Sequence, residues 1–278
     1  MGDKKQMQLI EGRDCHVAAE ATLLRLLSCT AAADPEAVAF QTYAWQVMTL
    51  LDSHLCSRSL GGDGTNLYDY LMEVDRSVYD LLLLGGQAVS DLLDASLVPD
   101  LVQKASREQM PSLLLARQPA WPLRRVLLLI RGEATDAVTI EWGSYLSRLS
   151  QAHLTVLVVL PQSAGQQAGE RSPMADVLTS ESRMGQSVRR ALSPLASQTN
   201  NVILKLNQGD PASQVRKEIA RGDYDLTILN AEPPGRLLHA RLSNLIEPLL
   251  RWSPHPLLVA NRLQRPDADD GEEAAWHD

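Results

Sequence analysis

The chain is poor in aromatic residues and has a single phenylalanine, Phe40, among its 278 residues. Leucine, valine and alanine must therefore fill any interior. Cysteine is scarce too: Cys15, Cys29 and Cys56 are the full set. A sparse, odd number of cysteines excludes a disulfide framework and points to a reducing compartment. Positive charge is in deficit, with 26 Lys+Arg against 34 Asp+Glu and a net charge of −8. That balance gives no electrostatic case for nucleic acid or an anionic membrane surface as partner. Long hydrophobic runs are missing, since Leu81–Leu84 and Val126–Ile130 are too short to span a bilayer. Residues 1–14, "MGDKKQMQLIEGRD", lack the apolar core of a signal peptide. A cytoplasmic location is expected, with an acidic, disordered tail over 264–278.

What is present is a 45% apolar chain, enough for one large domain or two of ordinary size. The chain also repeats itself. "SVYDLLLLGG" (Ser77–Gly86) echoes "GDYDLTILNA" (Gly222–Ala231), and "MPSLLLARQ" (Met110–Gln118) echoes "HPLLVANRL" (His255–Leu263). Tyr79 and Tyr224 are 145 residues apart, as are Pro111 and Pro256. A shared offset implies two copies of one unit of domain size.

The second copy is the more legible. Arg125–Ile130, "RVLLLI", is wholly apolar after its first residue, the mark of a strand buried on both faces. Ile140, Trp142, Tyr145, Leu146 and Leu149 give Ala137–Leu149 one apolar helical face. His153–Pro161 is a second buried strand, Met184–Gln198 a helix and Asn200–Asp210 a third strand. Asp210-Pro211 opens another helix, the acid as cap and proline in the first turn. Gly222 fits its C-terminal stop. Asp225–Leu229 is the fourth strand, Leu242–Trp252 a helix and His255–Ala260 the fifth strand. This alternation predicts an α/β fold: a five-stranded parallel sheet with helices on both faces, Rossmann-like. Ligands of such sheets sit beyond the carboxyl ends of the strands, where the strand order reverses.

The first copy looks partial. An offset of 145 puts the counterpart of the first strand before residue 1. Cys15–Cys56 reads as helical, through Val17, Leu23, Leu24 and Leu27 and then Ala37–Leu55 after Asp34-Pro35. The expected organisation is a helical segment over 1–60, a degenerate partial repeat over 61–118, a proline-bearing linker "ARQPAWPLRR" (Ala116–Arg125), a complete domain over 123–263, and the tail.

The stretches "RRVLLLIRGEATDAVTIEWGSYLSRLSQAHLTVLVVL", "GDPASQVRKEIARGDYDLTILNA" and "LSNLIEPLLRWSPHPLLVANR" together resemble a universal stress protein domain. The resemblance covers about Leu123–Leu263 well and Gly61–Arg117 weakly. It implies a regulatory or stress-adaptive binding protein. Many members bind ATP through Gly-x2-Gly-x9-Gly-Ser/Thr after the fourth strand, where backbone N–H groups meet the phosphates. Counted back from "SPHP", those four positions fall on Asn230, Pro233, Ser243 and Asn244, none of them glycine. Pro233 has no N–H to donate. Gly235 is close but out of register. The family's acidic residue after the first strand falls at Arg131, and only Gly132 of that turn is kept. In the first copy the last two positions fall on Val98 and Pro99, although Gly85-Gly86 follow the fourth strand. Family-type ATP binding is therefore not expected, and no cofactor is assigned.

Gly61-Gly62-Asp63-Gly64 reads as a flexible turn. Cys15-His16 and His54-x-Cys56 lack a second pair at structural zinc spacing, so no metal is expected. Ser144 and Ser243 have no nucleophile-elbow pattern, and no catalytic residue is assigned. Arg131 could hold an anionic ligand, or pair with Glu133 or Asp136; Arg236, His239 and Arg241 add cations to the loop after strand four. Three functions stay open: a stress-type binding protein, an interaction module docking a protein partner through helices in Cys15–Leu55, and a nucleotide-binding or nucleotide-hydrolysing protein with a non-standard anion site. The resemblance also implies a homodimer through the fifth strand, unless the two copies pair within one molecule. "HPLLVA" is an apolar edge that needs covering.

Overall fold

The computed structural model describes residues 24–31, 35–60, 67–74, 77–106, 110–130, 136–160, 201–230, 245–253 and 255–262, with isolated positions at 185, 186, 189, 193 and 195. The first unit runs β1 (Arg25–Ala31), α1 (Ala37–Leu51), β2 (His54–Leu60), α2 (Leu67–Glu73), β3 (Leu81–Leu84), α3 (Gly86–Asp94), α4 (Val98–Ser106) and β4 (Ser112–Leu115). The second runs β5 (Arg125–Ile130), α5 (Ala137–Ser150), β6 (His153–Leu160), β7 (Val202–Gln208), α6 (Pro211–Arg221), β8 (Leu226–Asn230), α7 (Ile246–Trp252) and β9 (Leu257–Ala260). Among the described residues no helix is long and apolar enough to cross a membrane.

The nine strands among the described residues join one sheet in the order β2-β1-β3-β4-β9-β8-β5-β6-β7. The second unit is the expected five-stranded parallel sheet. The first unit is parallel as well. The units meet through β4 and β9, which are antiparallel, with Leu114 opposite Leu258. The apolar edge of β9 is thus covered by a strand of the same chain.

Alternate residues of the central strands feed opposite faces, as strand geometry requires. One face packs Leu27, Leu82, Leu113, Leu127, Leu229 and Leu257 under α2, α3, α4, α6 and α7. The other packs Leu26, Leu81, Leu114, Val126, Ile228 and Leu258 under α1 and α5. Leucine and valine fill both layers, and Phe40 and Trp142 are fully buried in the second.

The expectation of a helical segment over 1–60 is corrected. Residues 1–23 lie outside the described residues, α1 is helical, and β1 and β2 are strands. Leu24 and Leu27 have helical spacing, but β1 is buried on both faces and reads as a continuous run. Such a short run carries no period that separates strand from helix. Its polar residues find partners in the sheet, Ser28 Oγ donating to Ser57 Oγ at 2.9 Å.

A single offset of 145 does not place the first strand, because the two units differ in length. Arg25 and Arg125 are 100 residues apart, whereas Asp80 and Asp225 are 145 apart. The two aspartates carry the same bond. Asp80 Oδ2 accepts the N–H of Arg25 at 2.8 Å, and Asp225 Oδ2 accepts those of Arg124 and Arg125 at 2.7 and 2.9 Å. Each pins the fourth-strand position to the first. Between these anchors the first unit is 45 residues shorter, the difference of the two offsets. Among the described residues it has no counterpart of β7 in the sheet, so there β2 forms the outer edge where β6 is covered.

Candidate functional site

The strand order reverses twice on the carboxyl side, between β5 and β8 and between β1 and β3. These are the two positions for a ligand crevice.

In the second unit the register pairs Leu128 with Ile228, which brings Ile130 and Asn230 level at the strand ends. Asn230 is half-buried there. Arg131, Gly132, Pro233, Gly235, Ser243 and Asn244 lie outside the described residues, as do Arg236, His239 and Arg241. Behind the crevice stands Asp136, 2% exposed, at the N-cap position of α5. A carboxylate there meets the positive end of the helix dipole.

The first unit repeats this arrangement. Glu36 occupies the N-cap position of α1, 100 residues before Asp136, in step with Arg25 and Arg125. Here the neighbours are resolved in detail. α3 begins at Gly86 directly after β3, with Gly85 as an extended N-cap. A Cβ on Gly85 would lie 2.9 Å from the Phe40 ring. One on Gly86 would lie 3.1 Å from Glu36 Oε2 and 3.2 Å from the Arg117 carbonyl oxygen. The glycines therefore let α1 and the chain after β4 approach the start of α3. At that helix end the buried Phe40 ring and the exposed Glu36 carboxylate stand against the two glycines.

Among the described residues the nucleophile candidates Cys29 and Ser144 are buried. Cys29 lies on β1 at this crevice, and burial pushes its thiol up to about 12. A thiol so placed is not a thiolate at neutral pH. Ser144 is buried within α5, its hydroxyl without a hydrogen-bond partner among the described residues. Among the described residues no group of three or more His, Cys, Asp or Glu could hold a metal ion. Cys15 and His16 lie outside them.

One polar cluster escaped sequence reading. Lys205 of β7 donates to Glu218 Oε1 at 2.6 Å, and the Tyr224 hydroxyl donates to the same oxygen. Burial alone would raise the Glu218 carboxyl, but the hydrogen bonds from Lys205 and Tyr224 and the Lys205 charge hold it below the usual glutamate range. Tyr224 is pushed up to about 12 by burial, helped by its bond to Glu218. Tyr224 precedes β8, so this cluster sits at the amino end of the sheet, away from both crevices. It clamps an edge strand: an inward-turned lysine blunts β7 as a template for pairing.

The universal stress protein family model matches residues 122–261. No curated protein matches the chain. Among solved structures, a Pseudomonas aeruginosa UCBPP-PA14 protein ascribed to the universal stress proteins is 15% identical, with a TM-score of 0.53; the match covers 86% of this chain and 83% of that one. A universal stress protein from Archaeoglobus fulgidus DSM 4304 is 11% identical, with a TM-score of 0.50, covering 82% of this chain and 77% of that one. At such identities the likeness is one of fold, and it extends over both units. With the family model matched across half of its length, the chain belongs to the universal stress protein family.

Proposed function

We propose that the protein is a regulatory, stress-adaptive binding protein that neither holds ATP by the family's glycine loop nor catalyses its turnover. The observation that supports this most is the close approach at the first unit's helix end, where Phe40 and Glu36 stand against Gly85 and Gly86. In the second unit the sequence supports it, because Asn230, Pro233, Ser243 and Asn244 replace the motif's glycines and hydroxyl. Calorimetric titration of the full chain with ATP tests the reading. No saturable binding and no nucleotide turnover are expected; micromolar affinity would overturn it.

The same reading takes the family's fifth-strand pairing as made within the chain, with β4 in the place of a partner's strand. A mass of 30.6 kDa in sedimentation equilibrium is then expected, and a dimer would count against it.

A second reading, docking of a protein partner, is favoured by α1. This helix contains no charged residue, and Val38 and Trp45, two turns apart, are 81% and 48% exposed. Deleting residues 1–60 would not test it, because β1, α1 and β2 are part of the core. The double substitution Val38→Lys, Trp45→Glu leaves the buried face intact. It should release any protein that co-fractionates with the chain, and retention of that protein would exclude the helix as the docking face.

A further inference from the structure

The two ends of the seam between the units differ. Where β4 begins and β9 ends, Asn261 forms a buried clasp: its Nδ2 donates to the Met110 oxygen at 3.1 Å, and its N–H donates to Ser112 Oγ at 3.0 Å. At the other end, where β4 finishes and β9 begins, the residues 145 positions away are Ala116 in place of Asn261 and Leu257 in place of Ser112. Neither can make that clasp. A cavity of about 210 Å³ opens there instead, lined by Arg117, Gln118, Arg251, Trp252 and Ser253.

Among the described residues the lining is rich in donors and contains no carboxylate. Arg117 Nη1 donates to the Leu250 oxygen at 2.7 Å, across the seam. Arg251 reciprocates, its Nη2 donating to the Leu93 oxygen at 3.2 Å while its Nε and Nη2 hold Glu247. A guanidinium carries five N–H groups, so both keep donors beyond these bonds. Among the described residues no hydrogen bond engages the Gln118 amide or the Trp252 indole N–H. Behind the indole, the Arg216 guanidinium lies 5.7 Å from the ring centre. Among the described residues Arg251 pairs with one carboxylate, Glu247, and Arg117 with none, so the two lining guanidiniums outnumber the carboxylate they hold. The planar forks of Arg117 and Arg251 suit the oxygens of phosphate or carboxylate. The volume takes roughly seven waters at about 30 Å³ each. That is enough for a phosphoryl group with a few further atoms, and small for a nucleotide, since pockets for larger ligands run from about 300 Å³.

We propose that this seam cavity binds a compact oxyanion, phosphate itself or the phosphoryl group of a small metabolite. The site lies at the amino end of β9 and the carboxyl end of β4, away from the crevice between β5 and β8. It exists only because the two units are joined, since Arg117 and Gln118 come from one and Arg251, Trp252 and Ser253 from the other.

Titration of the full chain with inorganic phosphate and with glycerol 3-phosphate tests this, followed by calorimetry and tryptophan fluorescence. Saturable binding in the micromolar to low millimolar range is expected, and the tighter of the two ligands identifies free anion or phosphoryl metabolite. Gln118→Glu places a carboxylate in the cavity without touching either arginine's carbonyl bond. It should weaken binding at least tenfold and leave the melting temperature unchanged. Trp252→Phe should keep calorimetric binding and lose the fluorescence response. No saturable binding by either ligand, or binding that Gln118→Glu leaves unaltered, overturns the proposal.

Discussion

Replacing Asn261 by alanine tests whether the seam clasp couples the units. Asn261 is 5% exposed. Truncation removes its Nδ2 bonds to the Met110 and Pro111 oxygens, at 3.1 and 3.4 Å. It spares the backbone bonds, in which Asn261 N–H donates to Ser112 Oγ and its carbonyl accepts from Ser112 and from Trp142 Nε1. The shorter side-chain bond contributes about 1 kcal/mol, and leaving buried carbonyls unsatisfied costs a further ~1–2 kcal/mol. The 3.4 Å bond is long and adds little. A loss of about 2–3 kcal/mol is expected. Asn261→Asp separates hydrogen bonding from packing. It keeps the shape but turns a carboxylate toward two carbonyl oxygens, so it should cost more than alanine at neutral pH. The assay is urea unfolding followed in parallel by far-UV circular dichroism and tryptophan fluorescence. A native-like slope with a shifted midpoint means the units still unfold together, whereas separated transitions mean the clasp coupled them. A loss under about 0.5 kcal/mol, the usual size of a neutral surface change, would refute the reasoning, as would an aspartate variant as stable as the alanine one.

Three further outcomes follow from the geometry. Gly85→Ala should destabilise by about 1–3 kcal/mol, the cost of overpacking, because its Cβ would lie 2.9 Å from Phe40; chemical denaturation in a Phe40→Leu background should show a smaller loss, and equal losses would exclude that clash. The Glu218 carboxyl is held low in the fold by Lys205 and Tyr224 against the effect of burial, so its stabilisation is present above the unfolded value of about 4.3 and is lost as pH falls through the lower folded value. Urea midpoints measured from neutral pH down to pH 3 should therefore fall less steeply for Glu218→Gln than for the parent, and parallel curves would contradict the assignment. Cys29, its thiol pushed up to about 12 by burial, should resist iodoacetamide at pH 8 in the native chain and react after unfolding; peptide mass spectrometry showing equal labelling would refute its burial.

The second unit was legible because each signal came from a distinct physical cause. Runs buried on both faces gave Arg125–Ile130 and His153–Leu160 nearly to the residue. Asp210 caps α6 as read, its carboxylate accepting the N–H of Ser213 at 2.8 Å. Gly222 ends that helix, but with φ −108° rather than a left-handed turn. Its missing Cβ makes room for the Tyr224 ring, which would otherwise lie 2.2 Å away. The first unit was obscured by its shortened middle, which shifts the internal register from 100 to 145. Once "RLLSC" is set against "RVLLL" and His54-Leu55 against His153-Leu154, β1 and β2 can be read from sequence, and Glu36 falls on Asp136. The role of Asp225 had no local signal because its partners, the N–H groups of Arg124 and Arg125, are a hundred residues away. The seam cavity had no local signal at all, since Gln118 and Trp252 meet only through the β4–β9 pairing.

That antiparallel pairing has a consequence for how the two units can change. In a homodimer joined by the same strand, one gene position appears at both ends of the interface, so every substitution is made twice and must suit both. Here β4 and β9 are encoded separately. Ser112 and Asn261 could be acquired at one end while Leu257 and Ala116 stayed at the other. Joining also makes the contact unimolecular, so its occupancy does not fall on dilution as a dimer's would. A fused pair is thus free to specialise its two ends without risking dissociation.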